Sequence, residues 1–125
     1  MNLQQIQEFC EAKKHVEATF PFDQDTLVYK VAGKMFALIP LEKWEGGNPF
    51  INLKCDPGYA IQLRENHTNI QPGYHCSKTH WNSLYLKDND IPPKLVAELI
   101  THSYDLVVAG LTKKVKIEFG FVIEK

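Results

Sequence analysis

The chain is poor in cysteine. Among its 125 residues there are 3, at Cys10, Cys55 and Cys76, and none form a Cys-x-x-Cys pair. An odd count without paired spacing argues against a disulfide framework and points to a reducing compartment, so a cytoplasmic location is expected. A surplus of positive charge is missing as well: Lys and Arg number 14 against 15 Asp and Glu, for a formal net charge of −1. This excludes a polyanion clamp made by the whole surface, and any nucleic-acid site has to be a local patch. No apolar run approaches the ~20 residues of a membrane-spanning helix. The start, Met1-Asn-Leu-Gln-Gln5, has no basic segment leading into an apolar run, so neither a signal peptide nor membrane association is expected. Internal repeats and low-complexity segments are absent too.

What is present is ordinary globular material, 44% hydrophobic and 23% charged. The length suits one core and one domain, residues 1–125. Asn2 is placed to cap a helix from Leu3 to about Lys14, with Leu3, Ile6, Phe9 and Cys10 on one face. Val16 to Phe20 has β character, and Phe22 to Asp25 is a turn. Thr26–Ala32 and Met35–Ile39 form the clearest hairpin, turning at Ala32-Gly33-Lys34. Leu41 to Pro49 is expected as a loop and Phe50 to Cys55 as a strand. Asp56 followed by Pro57 starts a helix to about Asn66, with Ala60, Leu63 and Tyr59 inward. His67 to Gln71 is expected as a loop, Trp81 to Leu86 as a strand and Lys87 to Asp90 as a polar turn.

The last long helix begins near Pro92 and runs to about Ala109, before Gly110. Leu95, Leu99, Ser103, Leu106 and Gly110 share one row, and Ser103 in that row predicts a close approach to the sheet. Val115, Ile117, Phe119, Phe121 and Ile123 alternate in the tail and suggest an extra strand. Helices gathered on one face of an antiparallel sheet make an α+β two-layer sandwich.

The densest stretch in polar-tipped side chains is Pro72 to Leu86, a turn feeding a strand beside the main surface groove. His75, Cys76 and His80 have the ligand types for zinc but no second ligand pair, so no metal and no cofactor is expected. A thiol nucleophile at Cys76 would need a base in reach and a third orienting group. Side chains adjacent on a strand point to opposite faces, which makes His75 a poor base for it. Tyr74 and Trp81, with Lys78 and His80 between them, have the make-up of a nucleic-acid surface, with aromatics to stack and cations for phosphate. The same aromatics equally suit a cover over the end of the core with their polar tips wet. Lys113, Lys114 and Lys116 read as a solvated helix exit. Asp88-Asn-Asp90 lacks the glycine and glutamate of a calcium loop, and Gly46-Gly47 lacks the lysine of a phosphate loop. No set of base, nucleophile and oxyanion donors is visible, so the protein is not expected to be an enzyme.

At Asn52-Leu-Lys-Cys-Asp56, Pro72-Gly-Tyr-His75, Lys78-Thr-His-Trp-Asn82 and His102-Ser-Tyr-Asp-Leu-Val-Val108 the chain resembles the MmcQ/YjbR family. Lys34-Met-Phe-Ala37 and Thr112-Lys-Lys114 fit the same pattern, and the match runs to about Lys116. The resemblance implies a CyaY-like (YjbR-like) fold, also likened to type III secretion chaperones. It further implies DNA binding in a double-wing arrangement. Carried onto matching positions, the implied contact face is Lys54, Tyr74, His75, Lys78, His80, Trp81 and Asn82, with Lys34 at the tip of one wing. Frataxin-like iron binding does not carry over, because Glu8 and Glu11 are too sparse for an acidic ridge on the first helix. Two partners remain: DNA, or a protein bound by an adaptor of chaperone type. A monomer is expected in either case.

Overall fold

In the computed structural model, which describes residues 1–87 and 90–122, the chain folds around one antiparallel sheet of six strands. In chain order the elements are α1 (Leu3–Glu11), β1 (Val16–Thr19), β2 (Thr26–Val31), β3 (Lys34–Pro40), α2 (Leu41–Glu45) and β4 (Phe50–Lys54). Then come α3 (Pro57–Asn66), β5 (Ile70–Pro72), β6 (Trp81–Tyr85), α4 (Pro93–Ala109) and α5 (Lys113–Glu118). The strand order is β1-β2-β3-β4-β6-β5, so β1 and β5 form the edges. Among the described residues no helix is long and apolar enough to cross a membrane.

Local chemistry sets most of these elements. Asn2 and Gln5 form a reciprocal capping box at the start of α1. Asp56 accepts from the Tyr59 amide, and Pro57 follows it into the first turn of α3. The β2–β3 hairpin turns through Ala32 and Gly33, both at positive φ (50° and 79°), the mirror-image turn that matches strand twist. Val31 therefore pairs with Lys34, and Lys34 opens β3 instead of lying in the turn.

Period-2 alternation divides the sheet. Leu27, Tyr29, Val31, Ala37, Ile39, Ile51, Leu53 and Leu84 face the core. Against them pack Ile6 and Cys10 of α1, Ala60 and Leu63 of α3, and Val96, Leu99, Ile100 and Val107 of α4. This is the expected α+β two-layer sandwich, with its helices on one face.

Five sequence expectations are corrected. α1 stops at Glu11 and not near Lys14; the chain then bends through His15, at φ 61°. The 41–49 stretch holds the short helix α2, where Trp44 Nε1 donates to the Phe50 carbonyl at 3.1 Å. Part of the 67–71 loop is the edge strand β5, paired to β6 through Ile70↔Leu84. The tail is not a strand: Thr112 caps the Val115 amide and starts α5. Its Phe121 packs beside Tyr104, where a strand would have needed a free sheet edge. On α4 the buried row includes Tyr104, whose hydroxyl donates to the Lys14 carbonyl at 2.6 Å, while Leu95 and Leu106 are only half-buried. The expected turn at Lys87–Asp90 lies partly outside the described residues, as does the end of the tail.

Candidate functional site

The second face of the sheet carries Val28, Leu38, Phe50, Asn52 and Ser83, and all five are buried although the helices lie on the other side. Over Phe50, Asn52 and Ser83 the cover is the segment between β5 and β6. Asn52 and Ser83 are directly paired across β4 and β6. The Ser83 hydroxyl donates to Asn52 Oδ1 and accepts from the Tyr74 amide (2.9 Å). Asn52 Nδ2 donates to the Tyr74 carbonyl at 3.0 Å and to Cys76 Sγ at 3.6 Å. Both polar groups of the Tyr74 backbone are thus held by two buried side chains, which themselves need those partners. Gly73 brings the chain into place, donating to the Trp81 carbonyl at 2.8 Å. A Cβ there would stand 2.7 Å from Trp81 Cβ and 3.1 Å from Cys76 Cβ, so the approach requires glycine.

Gly73→Ala should consequently push the 73–76 turn off the sheet. The expected result is a stability loss of about 1–3 kcal/mol, as for other overpacked sites. Amide chemical-shift changes should be confined to residues 72–85. A wild-type melting temperature would show that the turn gives way without cost.

The clamped turn forms one wall of a groove of about 360 Å³. Tyr74, His75 and Cys76 stand on that side, Phe22 and Asp23 come from the β1–β2 connection, and Lys43 comes from α2. Leu38, Asn52 and Phe50 are the sheet residues beneath. Asp23 is held by the Thr26 and Asp25 amides and the Thr26 hydroxyl, and these bonds lower its pKa. His75 sits at φ 59°, a left-handed conformation, with its ring 4.1 Å from that of Tyr74.

A second hollow, of about 290 Å³, lies at the other end of β3 and β4. Lys34 and Lys54 line it with Met35, with Leu106 and Val107 of α4, and with Gly110 and Leu111 just after it. Trp81, half-buried, is the direct cross-strand partner of Lys54. Lys78 and His80 are exposed just before it; Arg64 Nη1 donates to the Lys78 carbonyl and the Cys55 amide to that of His80.

The expected contact face therefore divides. Tyr74 and His75 belong to the groove, while Lys34 and Lys54 line the second hollow; Trp81 pairs with Lys54 but does not line that hollow. Asn82 is a correction: it is 1% exposed on the helix side, with Nδ2 donating to the Ala60 carbonyl at 3.3 Å. One step along β6 from Trp81 reverses the face, so Asn82 cannot meet a ligand that Trp81 meets. His75 and Cys76 are corrected as well. They lie in the expected turn ahead of β6, so the strand alternation that set them on opposite faces does not apply, and both line the groove.

The thiols are not activated. Burial pushes Cys10 up to about 12 and Cys55 up to about 11. Burial also raises Cys76, with the Asn52 hydrogen bond pulling weakly the other way. Among the described residues no three His, Cys, Asp or Glu side chains converge as a metal site. Lys43, Phe22 and Ser83 were not legible as site residues. Asn52 and Gly73 stood in the motifs, but as clamps for Tyr74 and not as contacts.

The fold and groove define a two-layer α+β domain whose second sheet face is roofed by a clamped turn. The chain belongs to the YjbR family, whose model matches residues 11–106. It is 40% identical over 99 residues to the uncharacterized protein YbdF of Escherichia coli O157:H7, spanning 79% of this chain and 78% of that one. It is 30% identical over 108 residues to the uncharacterized protein YjbR of Escherichia coli K12, spanning 86% and 88%. Among solved structures it is similar to Deinococcus radiodurans protein DR2400, a DUF419 domain. That match has a TM-score of 0.86 and 36% identity over 95% of this chain and 88% of that one. A Pseudomonas syringae protein superposes with a TM-score of 0.70 at 27% identity, over 85% and 98%.

Proposed function

We propose that the protein acts by binding and not by catalysis, and that its partner is DNA, contacted at the end of the sheet that carries Lys34, Lys54 and Trp81. The observation that supports this reading is the convergence of Lys34 and Lys54 on one hollow, with Trp81 paired to Lys54 and Lys78 and His80 next along the chain. Lysines there meet phosphate, and the tryptophan supplies a flat apolar surface for a base. The raised thiol pKa values favour a non-catalytic role, because none of these cysteines is a thiolate near neutral pH.

Titration of labelled duplex and single-stranded DNA at low and moderate salt tests the proposal. With a net charge of −1, affinity for arbitrary duplex at physiological salt should be on the order of 10⁻⁴ M or weaker. Lys34→Ala and Lys54→Ala should each lower the salt slope by about 1. Trp81→Ala should cost roughly 1–3 kcal/mol of binding, with its melting temperature measured alongside because Trp81 also packs on Gly73. Absence of binding at low salt by the folded protein would sink the DNA reading. It would leave the second one, a protein-interaction adaptor, which the exposed Phe20 and Phe22 on the β1–β2 connection favour.

A further inference from the structure

We propose that the groove between Phe22 and Tyr74 is a binding site for a small organic carboxylate with an aromatic or branched apolar body. Its volume of about 360 Å³ falls in the range of small-molecule sites, roughly 300–1,000 Å³. Phe22, Leu38, Pro40, Phe50 and Tyr74 give it apolar and aromatic walls. Two of these walls are exposed aromatics, Phe22 at 64% and Tyr74 at 47%, and a flat apolar body between them would cover both.

The polar lining decides which head group fits. Asn52 has no N–H left to donate to a ligand. Its amide nitrogen serves Tyr74 and Cys76, and its oxygen serves Ser83. The Asp23 carboxylate is held by one hydroxyl and two amides of its own loop, which keep it an anion and disfavour a carboxylate head group on its side of the groove. Besides the Tyr74 hydroxyl and the Cys76 thiol, what remains is the Lys43 ammonium, from α2, and the His75 ring, from the 73–76 turn. Both can donate a hydrogen bond, and a carboxylate is the small head group that accepts from both.

The groove is also built in advance of a ligand. Asn52 and Ser83 hold the Tyr74 backbone from below, and Gly73 lets the turn approach Trp81. His75 is kept in the left-handed region on a fixed support, a conformation that costs free energy and persists only where the surroundings impose it. A rim fixed in this way loses less freedom on binding.

The test is an amide NMR titration of the full chain with 3-phenylpropionate, its neutral amide 3-phenylpropanamide and the cation 3-phenylpropylamine, each to about 10 mM, a range that detects millimolar binding. The carboxylate is expected to move the amides of Phe22, Thr26, Tyr74, His75 and Cys76 and to approach saturation. The neutral amide should bind more weakly, by up to about fivefold, as the loss of one exposed ion pair implies. Lys43→Gln, at an exposed position outside the core, should weaken the carboxylate by the same factor without shifting the melting temperature or the affinity for the neutral amide. Four results would overturn the proposal: no groove shifts with the carboxylate, equal binding of carboxylate and amide, preference for the amine, or an unchanged Lys43→Gln variant. Much tighter binding of a peptide ending in a free phenylalanine would also replace it, making the groove a site for a protein tail.

Discussion

Leu99→Ala is expected to lower folding stability by about 2–5 kcal/mol, the usual cost of a large-to-small change in a core. Leu99 lies in the middle of α4 and is 3% exposed. It packs where α3, α4 and the sheet meet, beside Leu53, Cys55, Leu63 and Leu84. A small pocket of about 10 Å³ adjoins it, bordered by Asn82. Urea denaturation read by tryptophan fluorescence and by circular dichroism would measure it. A loss below about 1 kcal/mol, the level of surface substitutions, would mean that the inward face of α4 is assigned wrongly.

Ser103→Ala should cost about 2–4 kcal/mol, far more than its size suggests, because two buried backbone groups lose their partner. The β3–β4 ladder runs through Leu38↔Asn52 and Ala37↔Leu53. The pairing of β3 with β2 shifts at Phe36, and the β3–β4 ladder stops at Ala37↔Leu53, one step short of Phe36 and Lys54. Ser103 enters the gap. Its hydroxyl donates to the Phe36 carbonyl at 2.5 Å and accepts from the Lys54 amide at 2.9 Å, at 0% exposure. One side chain of α4 therefore stands in for a rung of the sheet. It also fixes the backbone from which Lys54 projects, so loss of the hydroxyl should loosen the hollow with Lys34. Hydrogen exchange at the Lys54 amide would report this directly, and unchanged protection in Ser103→Ala would refute it.

These two positions show how differently parts of the molecule were legible. Leu99 followed from helical spacing alone. Ser103 was recognisable as an anomaly, a hydroxyl in an apolar row, and the close approach it predicted is present. Its partners were not readable, because they are main-chain groups exposed by a bulge elsewhere in the chain. Asn82 was misplaced for a related reason. Its neighbours Trp81 and Ser83 face the groove side, and a motif read as a string does not show that alternate residues of β6 part company. The tail misled because apolar alternation over a few residues fits a strand and a short helix almost equally. Thr112 as a cap and Phe121 beside Tyr104 decided for the helix.

By itself, the sequence determined the elements whose signals are local. These are the cap residues and prolines that start helices, the Ala32-Gly33 turn, the strand alternation and the apolar face of α4. Together they compel an antiparallel sheet with helices on one side, since each apolar face has to be buried against another. Only the tertiary structure decided what covers the other face. The Pro72–His75 motif is polar-tipped and looks like a display, and half of it is a roof. Asn52 and Ser83 reach that roof from strands whose pairing is non-local, and their hydrogen bonds exist only once β4 and β6 are in register. The groove beneath Tyr74 and His75 likewise draws its walls from the β1–β2 connection, α2 and the 73–76 turn. Segments so far apart along the chain meet only after the sheet has formed, and no local preference encodes that meeting.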